Sequence, residues 1–357
     1  MTIRDIIIKY TDEFADISDS PRLDVEVMLM KVLGDVDKLY LHMNLNKEID
    51  EDKLTEFEKM AEDRKSGRPV AYIVGNREFM GLDFYVQEGV LIPRPDTETL
   101  VDEIINICSA KEYKEKDRID ILDIGTGSGA ITVGLAYYIK NSFVKSFDIS
   151  DIALEIGAKN AKSNGVDDRT EFIKSDVFSA LEGEGEILDI IVSNPPYIRK
   201  DVIPTLHTQV KDYEPYNALE GGDDGLNFYR SITEGSVKYL KKGGILAYEV
   251  GHDQAEDVSN IMKSYGYEKI YTKKDLPGID RVVIGTKLWY NDKLTEYENN
   301  WRGEYINAKK IRCIRGYIQR FNRKNSWSRN NKWSEVLAEI HERTCRLRAN
   351  NNEIQRV

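Results

Sequence analysis

The chain has 357 residues, of which 41% are hydrophobic and 32% charged, a composition that suits two or three globular domains and excludes a disordered chain. It contains no apolar run of about 18 residues or more, and its acidic start lacks a cleavage-site pattern, so neither a membrane span nor a signal peptide is predicted. Three cysteines without a C-x-x-C pair exclude a disulfide scaffold and a cysteine-rich zinc site. We therefore expect a soluble, cytoplasmic protein.

The net charge of −11 is the sum of two unlike parts. Residues 287–357 contain 16 Lys and Arg against 8 Asp and Glu, a net of +8, whereas the other 286 residues contain 35 against 54, a net of −19. All four tryptophans also lie in 287–357. This abrupt change predicts a boundary near residue 287, followed by a basic C-terminal extension.

Residues 1–70 are predicted to form a small helical domain. Ser20 and Pro21 are typical of a helix start. Four apolar residues then recur at helical spacing, namely Leu23, Val27, Met30 and Leu33. Residues 71–92 change to short β-rich runs punctuated by glycine, AYIVG, REFMGLDFYV and GVLI, which predict a β-hairpin linker.

Residues 93–286 alternate between strand-like and helix-like segments. Seven apolar runs are predicted to be strands, at 119–124, 143–149, 170–175, 187–193, 244–250, 267–272 and 281–286. Strands that are apolar throughout are typical of sheets covered on both faces. The alternation therefore predicts an α/β domain with a mostly parallel, seven-stranded sheet.

A glycine-rich loop joins the first of these strands to the next helix. Its residues are Gly125, Thr126, Gly127, Ser128 and Gly129. Glycine permits a tight turn and close approach of a ligand, and the helix start offers free N–H groups. Asp148 ends the next strand about 20 residues on, where a carboxylate can accept hydrogen bonds from ribose hydroxyls. The pattern favours an adenine-nucleoside site over an unliganded tight turn.

The chemistry of the loop favours one cofactor over another. It reads G-x-G-x-G rather than the G-x-G-x-x-G of nicotinamide dinucleotide sites, and Asp123 precedes it. A carboxylate at the strand end suits a cationic, phosphate-free ligand better than a pyrophosphate. S-adenosyl-L-methionine carries a sulfonium, an amino group and no phosphate, so we expect methyl transfer rather than hydride transfer.

The tetrapeptide Asn194-Pro195-Pro196-Tyr197 follows the fourth predicted strand, where open α/β sheets bind ligands. Two prolines fix the backbone and remove two N–H donors, which leaves carbonyl oxygens beside the Asn194 side chain. These acceptors can take both hydrogens of a planar amino group, and Tyr197 can stack on it. The alternative is a plain proline-rich turn. We predict a catalytic and substrate-binding segment that aligns an amide or amino nitrogen for methylation without a strong base.

With these motifs the chain resembles the HemK/PrmC family of protein-(glutamine-N5) methyltransferases, from its N-terminus to about residue 286. The resemblance rests on LDIGTGSGAI, FDIS, SNPPYI and EPYNALEGGDDGLNFYR, supported by GRPVAYIVGNREFMGLDFYV, LIPRPDTETLVDEI and GGILAYEVGHDQ. The NPPY motif alone is weaker, because DNA and RNA amino-methyltransferases share it. The resemblance implies a Rossmann-like catalytic domain over 93–286 and an N-terminal domain that recognises the substrate.

The resemblance also implies the reaction and its site. S-adenosyl-L-methionine would methylate the glutamine amide in the Gly-Gly-Gln motif of peptide chain release factors. Residues 125–129, Asp148 and Asn194 would contact the cofactor, and residues 194–197 would hold the glutamine. Asp176 would bond the adenine amino group, and Val177 stands where the family often has an aromatic residue beside adenine. Ribosomal-protein glutamine and adenine in nucleic acid remain alternative substrates.

Three further segments, 94–98, 214–225 and the basic extension, can each be interpreted in two or more ways. Residues 94–98 either cover the cleft or begin a helix, and residues 214–225 form either a substrate entrance or a surface loop. The histidines show no ligand spacing, so no metal is proposed. The basic extension, with an amphipathic helix predicted at 332–348, suits contact with RNA or the ribosome. Its alternatives are a docking extension, a poorly ordered appendage or a read-through.

Overall fold

The N-terminal part of the structure, a computed structural model that describes residues 1–181, 183 and 185–287, is helical. Its helices are α1 (Ile3–Glu13), α2 (Pro21–Val32), α3 (Lys38–Met43), α4 (Glu51–Lys65) and α5 (Val70–Val74). The predicted helix at 332–348 and the rest of the basic extension beyond Lys287 lie outside the described residues. Within those residues, no helix is long and apolar enough to cross a bilayer.

Helix α2 begins at Pro21 as predicted, but it buries a different face from the one expected. Leu23 is 47% exposed. The buried apolar residues are Val25, Met28, Leu29 and Val32. The helix is apolar on several sides, and α1, α3, α4 and α5 all pack against it. Packing by several neighbours therefore decides which stripe is buried, and spacing alone does not.

A β-hairpin follows α5, formed by antiparallel strands β1 (Asn76–Phe79) and β2 (Leu82–Tyr85). The segment AYIVG, predicted as extended, is instead mostly helical, because it forms most of α5. Pro69 precedes the helix and Gly75, with φ of +71°, ends it. Five residues are too few for spacing to distinguish a helix turn from a strand.

The predicted seven-stranded, mostly parallel sheet is confirmed. Its strands are β3 (Ile119–Ile124), β4 (Ser142–Asp148), β5 (Thr170–Lys174), β6 (Leu188–Ser193), β7 (Leu240–Glu249), β8 (Tyr267–Lys274) and β9 (Asp280–Lys287). They are ordered β5-β4-β3-β6-β7-β9-β8. The first five are parallel, and β9 is antiparallel to both of its neighbours.

Helices cover both faces of this sheet. They are α6 (Pro95–Cys108), α8 (Ala130–Tyr138), α9 (Asp151–Ser163), α11 (Asn227–Tyr239) and α12 (Ala255–Ser264). Two short helices, α7 (Lys111–Lys114) and α10 (Thr208–Lys211), lie between these elements along the chain. Ile121 joins a core with α6 and α8, whereas its neighbour Leu122 joins the opposite core with α11 and α12. Strand order reverses between β3 and β6, which opens a crevice at their carboxyl ends.

Candidate active site

The loop between β3 and α8 has a backbone that glycine adopts readily and other residues do not. Gly125, Gly127 and Gly129 have φ angles of +93°, +54° and +81°. The Gly125 N–H donates to the Phe147 carbonyl at 2.8 Å, which fastens the loop to the end of β4. A Cβ on Gly129 would lie 2.9 Å from the Cα of Gly157. The loop therefore keeps α8 and α9 in close contact.

Replacing Gly129 by alanine should cost more stability than the same change at Gly165. Both residues have positive φ, but the space around Gly165 is open, so Gly165→Ala carries only the left-handed backbone cost of about 1–2 kcal/mol. Gly129→Ala adds a collision with the Gly157 backbone. Urea unfolding measures the free energy of unfolding of both variants, and titration with S-adenosyl-L-methionine measures their Kd for the cofactor. Equal losses of stability with unchanged Kd would contradict this role of Gly129.

Asp148 lies beside this loop at the end of β4. Its Oδ2 accepts from the Gly127 N–H at 3.2 Å and its Oδ1 from the Ser150 N–H at 2.9 Å. Burial raises the pKa of Asp148. Thr126 and Ser128 fix the loop, because the Thr126 hydroxyl is 2.8 Å from that of Ser146 and the Ser128 carbonyl accepts from Asn160 at 2.8 Å. The structure thus brings the predicted loop residues and Asp148 together.

Asp123 lies directly behind the loop and is fully buried. Its Oδ2 accepts from the Thr132 hydroxyl at 2.7 Å, while its Oδ1 has no hydrogen-bond partner within the described part of the chain. Burial, and also the charge of Asp148, raise the pKa of Asp123 to about 7. Among residues 1–181, 183 and 185–287, no basic side chain forms an ion pair with either carboxylate. A buried acid without a basic partner behind the loop suits a cationic ligand better than a pyrophosphate.

The segment after β5 lies next to Asp148, because the Ser175 N–H donates to the Asp148 carbonyl at 3.0 Å. Asp176 is exposed, and its N–H donates to the Ser179 hydroxyl at 3.0 Å. Val177 has φ of +48°, a conformation that β-branched residues rarely adopt. Asp176 and Val177 therefore stand at the same sheet edge as the loop and Asp148.

The NPPY segment (residues 194–197) begins where β6 ends, next to the glycine loop. A Cβ on Gly125 would lie 3.7 Å from the Asn194 carbonyl oxygen. The Tyr197 carbonyl accepts from Gln254 Nε2 at 3.0 Å, and a Cβ on Gly221 would lie 2.7 Å from the Pro196 carbonyl oxygen. The predicted loop after NPPY thus packs against this segment and supports it.

A cavity of about 80 Å³ opens beside this segment. Its lining includes Asn194, Pro195, Tyr197, Arg94, Leu219 and Glu249. One wall is fixed by an ion pair, in which Arg94 Nη2 donates to the two carboxylate oxygens of Glu214 at 2.7 and 2.6 Å. Residues 94 and 214, which the sequence left between two interpretations, therefore both help to build the cavity wall.

Glu249 was not predicted from the sequence, and Thr97 was singled out only as part of the segment 94–98. Asn194 Nδ2 donates to the Thr97 hydroxyl at 3.2 Å, and that hydroxyl donates to Glu249 Oε2 at 2.5 Å. Helix α6 does begin at Pro95, but Thr97 in its first turn is buried against this site. One signal was available, because Glu249 is a charged residue at the end of the otherwise apolar strand GILAYEV.

Comparison with known families identifies the class first. Residues 5–75 match the PrmC N-terminal domain and residues 109–210 match the methyltransferase small domain. Together with the doubly wound sheet, this makes the catalytic part a Rossmann-like, S-adenosyl-L-methionine-dependent methyltransferase. Human methyltransferase 10 domain containing protein, a solved structure, has 18% identity and a TM-score of 0.45, covering 60% of this chain and 91% of its own.

Curated relatives narrow the class to one family. The release factor glutamine methyltransferase of Clostridium acetobutylicum is 42% identical, over 80% of this chain and 99% of its own length. The enzyme of the same name from Clostridium botulinum is 39% identical, over 80% of this chain and 100% of its own. The chain belongs to the release factor glutamine methyltransferase family, and the resemblance to HemK/PrmC proteins is confirmed.

Proposed function

We propose that the protein transfers a methyl group from S-adenosyl-L-methionine to the side-chain amide of the glutamine in the Gly-Gly-Gln motif of peptide chain release factors. The observation that carries this proposal is the small cavity of about 80 Å³ lined by Asn194, Pro195 and Tyr197, next to the glycine loop. It has room for a side-chain amide, whose two hydrogens the Asn194 side-chain oxygen and the Pro195 carbonyl would accept. Relatives that match over almost their whole length carry the name of this activity.

The cofactor would be held by residues 125–129, with its ribose at Asp148 and its adenine beside Asp176 and Val177. When bound, S-adenosyl-L-methionine supplies a methyl group on a positively charged sulfur. The unpaired carboxylates of Asp123 and Asp148 favour such a cation in the crevice. The free N–H groups at the start of α8 suit the polar atoms of the ligand.

The NPPY segment would orient the target amide. An amide nitrogen is a poor nucleophile because its lone pair is delocalised. The Asn194 side-chain oxygen and the Pro195 carbonyl would accept its two hydrogens, which increases electron density on the nitrogen and holds it in line with the methyl group. Tyr197 would pack against the amide plane, and burial raises its pKa, so it acts as a neutral phenol. No strong base is needed, because the proton becomes acidic once the methyl group is transferred.

A ribosomal-protein glutamine and an adenine in nucleic acid are the alternative substrates. Residues 1–286 carry a net charge of −19, which disfavours the phosphate backbone of a nucleic acid and favours a protein substrate.

Radiolabel from S-adenosyl-L-methionine distinguishes these substrates. The protein is incubated separately with a release factor, its Gly-Gly-Gln→Gly-Gly-Ala variant, ribosomes and DNA. We expect label in the unaltered release factor alone. Label in DNA, or undiminished label in the alanine variant, would contradict the proposed function.

Release factors act on ribosomes in the cytoplasm, and we place the protein there. We also propose that residues 288–357 of the basic extension contact ribosomal RNA, since the segment from 287 onward has a net charge of +8 with interspersed aromatic residues. A truncated chain for testing this must retain Lys287. That residue is buried at the end of β9, where its Nζ donates to the Val237 and Leu240 carbonyls at 2.6 Å each.

Ending the chain at Lys287 should weaken binding to ribosomal RNA by about tenfold or more and flatten its salt dependence, because the basic residues that displace counterions are gone. Methylation of a free release factor should not change. Filter binding at several salt concentrations measures the first effect, and label incorporation measures the second. Equal RNA binding by the two chains would exclude this role for the extension.

A further inference from the structure

Thr97 lies between a buried carboxylate and the side-chain amide of Asn194. Its hydroxyl donates to Glu249 Oε2 at 2.5 Å, and it accepts from Asn194 Nδ2 at 3.2 Å. A hydroxyl has a single hydrogen, so a threonine that gives it to Glu249 can only accept from Asn194. The NH₂ end of the Asn194 amide must therefore face Thr97, and its oxygen lies at the opposite end.

Glu249 is the last residue of β7 and is 1% exposed. Glu249 is one of the residues that line the cavity, and its carboxylate receives the hydrogen bond from Thr97. The charged and titratable groups around it are Arg94, Asp96, Tyr197, Tyr229 and Arg281. Arg281 is bound elsewhere, since its Nη2 lies 3.1 Å from Asp275 and 3.3 Å from Asp96. Glu249 is therefore available as a fixed acceptor for Thr97.

We propose that Thr97 and Glu249 are positioning residues that set which end of the Asn194 amide faces the target glutamine. The proposal rests on the function proposed above. Asn194 recognises the substrate NH₂ group only through its oxygen. A reversed Asn194 amide would place its own N–H donors against the donors of the substrate, and no hydrogen bond would form. The two ends of an asparagine amide have the same shape, so packing alone does not select between them.

The same geometry makes the orientation depend on the charge of Glu249. Burial raises the pKa of Glu249 to about 7. A protonated Glu249 donates its own hydrogen to the Thr97 oxygen. The Thr97 hydrogen is then free to bond the Asn194 oxygen, and the amide can reverse. The ionised form is the active one, so kcat/KM falls as the pH decreases through about 7.

Variants of Thr97 test the hydrogen-bond chain. Thr97→Val replaces the hydroxyl by a methyl group of similar size, and should lower kcat for the release factor by about 10- to 100-fold, as misoriented catalytic groups do. Thr97→Ser keeps the hydroxyl and should stay within about threefold of the wild-type kcat. Both variants should still bind S-adenosyl-L-methionine, because residues 125–129 and Asp148 are unaltered. Wild-type kcat in Thr97→Val, or equal losses in the two variants, would overturn the proposal.

The pH profile of kcat/KM tests the part played by Glu249. The wild type should lose activity on the acidic side with a midpoint near 7. Glutamine does not titrate, so in Glu249→Gln the decline due to Glu249 should disappear, whichever end of the new amide faces Thr97. An acidic decline that persists in Glu249→Gln would show that another group titrates and would overturn the pH-dependent part of the proposal.

The wild type in the same assay separates this proposal from the function on which it rests. If wild-type protein fails to label the Gly-Gly-Gln release factor, the proposed function itself is wrong. If the wild type labels it and Thr97→Val does so equally fast, only the positioning role fails. Circular dichroism of each variant confirms that a loss of rate does not come from unfolding.

Discussion

Asn194→Ala should lower kcat for methylation of the release factor by about 100-fold or more while the protein stays folded. The change removes the side-chain oxygen that would accept one hydrogen of the target amide, and deletion of one pre-oriented polar group at a reacting centre typically costs about 10²- to 10³-fold. Asn194 is partly exposed at the end of β6, so its truncation leaves the buried cores intact. Initial rates of label transfer at saturating cofactor measure the effect.

Asn76→Ala is the matched control. Asn76 is exposed, lies in the β-hairpin and donates from its Nδ2 to Asp83 Oδ1 at 3.2 Å. An exposed residue away from the site should change the rate by less than about twofold. A rate for Asn194→Ala close to that of this control would remove Asn194 from the mechanism.

Asp148→Asn should raise the Kd for S-adenosyl-L-methionine by about 10- to 100-fold, because hydrogen bonds to a charged group contribute about 1.5–3 kcal/mol. The variant also removes one of the two unpaired carboxylates that favour a cation. It keeps one oxygen that can accept from the Gly127 N–H, but its NH₂ group then faces the Ser150 N–H, so loss of that backbone bond contributes to the rise in Kd. Titration calorimetry measures the Kd, and kcat at saturating cofactor should fall much less than the affinity.

Asp151→Asn makes the same chemical change three residues away. Asp151 is exposed and pairs with Lys174 at 2.6 Å, away from the loop. Exposed ion pairs contribute at most about 1 kcal/mol, and this one should leave the Kd within about twofold. A similar loss of affinity for S-adenosyl-L-methionine in the two variants would mean that Asp148 acts only through the net charge of the region.

Much of the catalytic fold was predictable because strands buried on both faces are continuous apolar runs. Strand β3 was predicted over the residues at which it is found, and the other six differ by a few residues at their ends. The position of β9 between β7 and β8 was not predicted, since it depends on pairing between distant segments. The predictions for the short helix α5 and for the buried face of α2 were wrong, because packing against neighbouring elements decides both.

The residues of the candidate site also include some that the sequence predicts and some that it does not. The glycine loop and the NPPY segment carry their chemistry in consecutive residues, so local sequence suffices to find them. Thr97 lies 97 positions from Asn194 and 152 from Glu249, and only folding brings the three together. A single sequence contains no signal for contacts of that range beyond an unexplained acid in an apolar strand.

The central claim is that the methyl group goes to the side-chain amide of the glutamine in Gly-Gly-Gln. Tandem mass spectrometry of the release factor after incubation with the full chain and S-adenosyl-L-methionine tests it most directly. We predict that the peptide containing this motif gains one methyl group, located on the glutamine side chain. A methyl group on any other residue, or an unmodified peptide after cofactor turnover, would contradict the account.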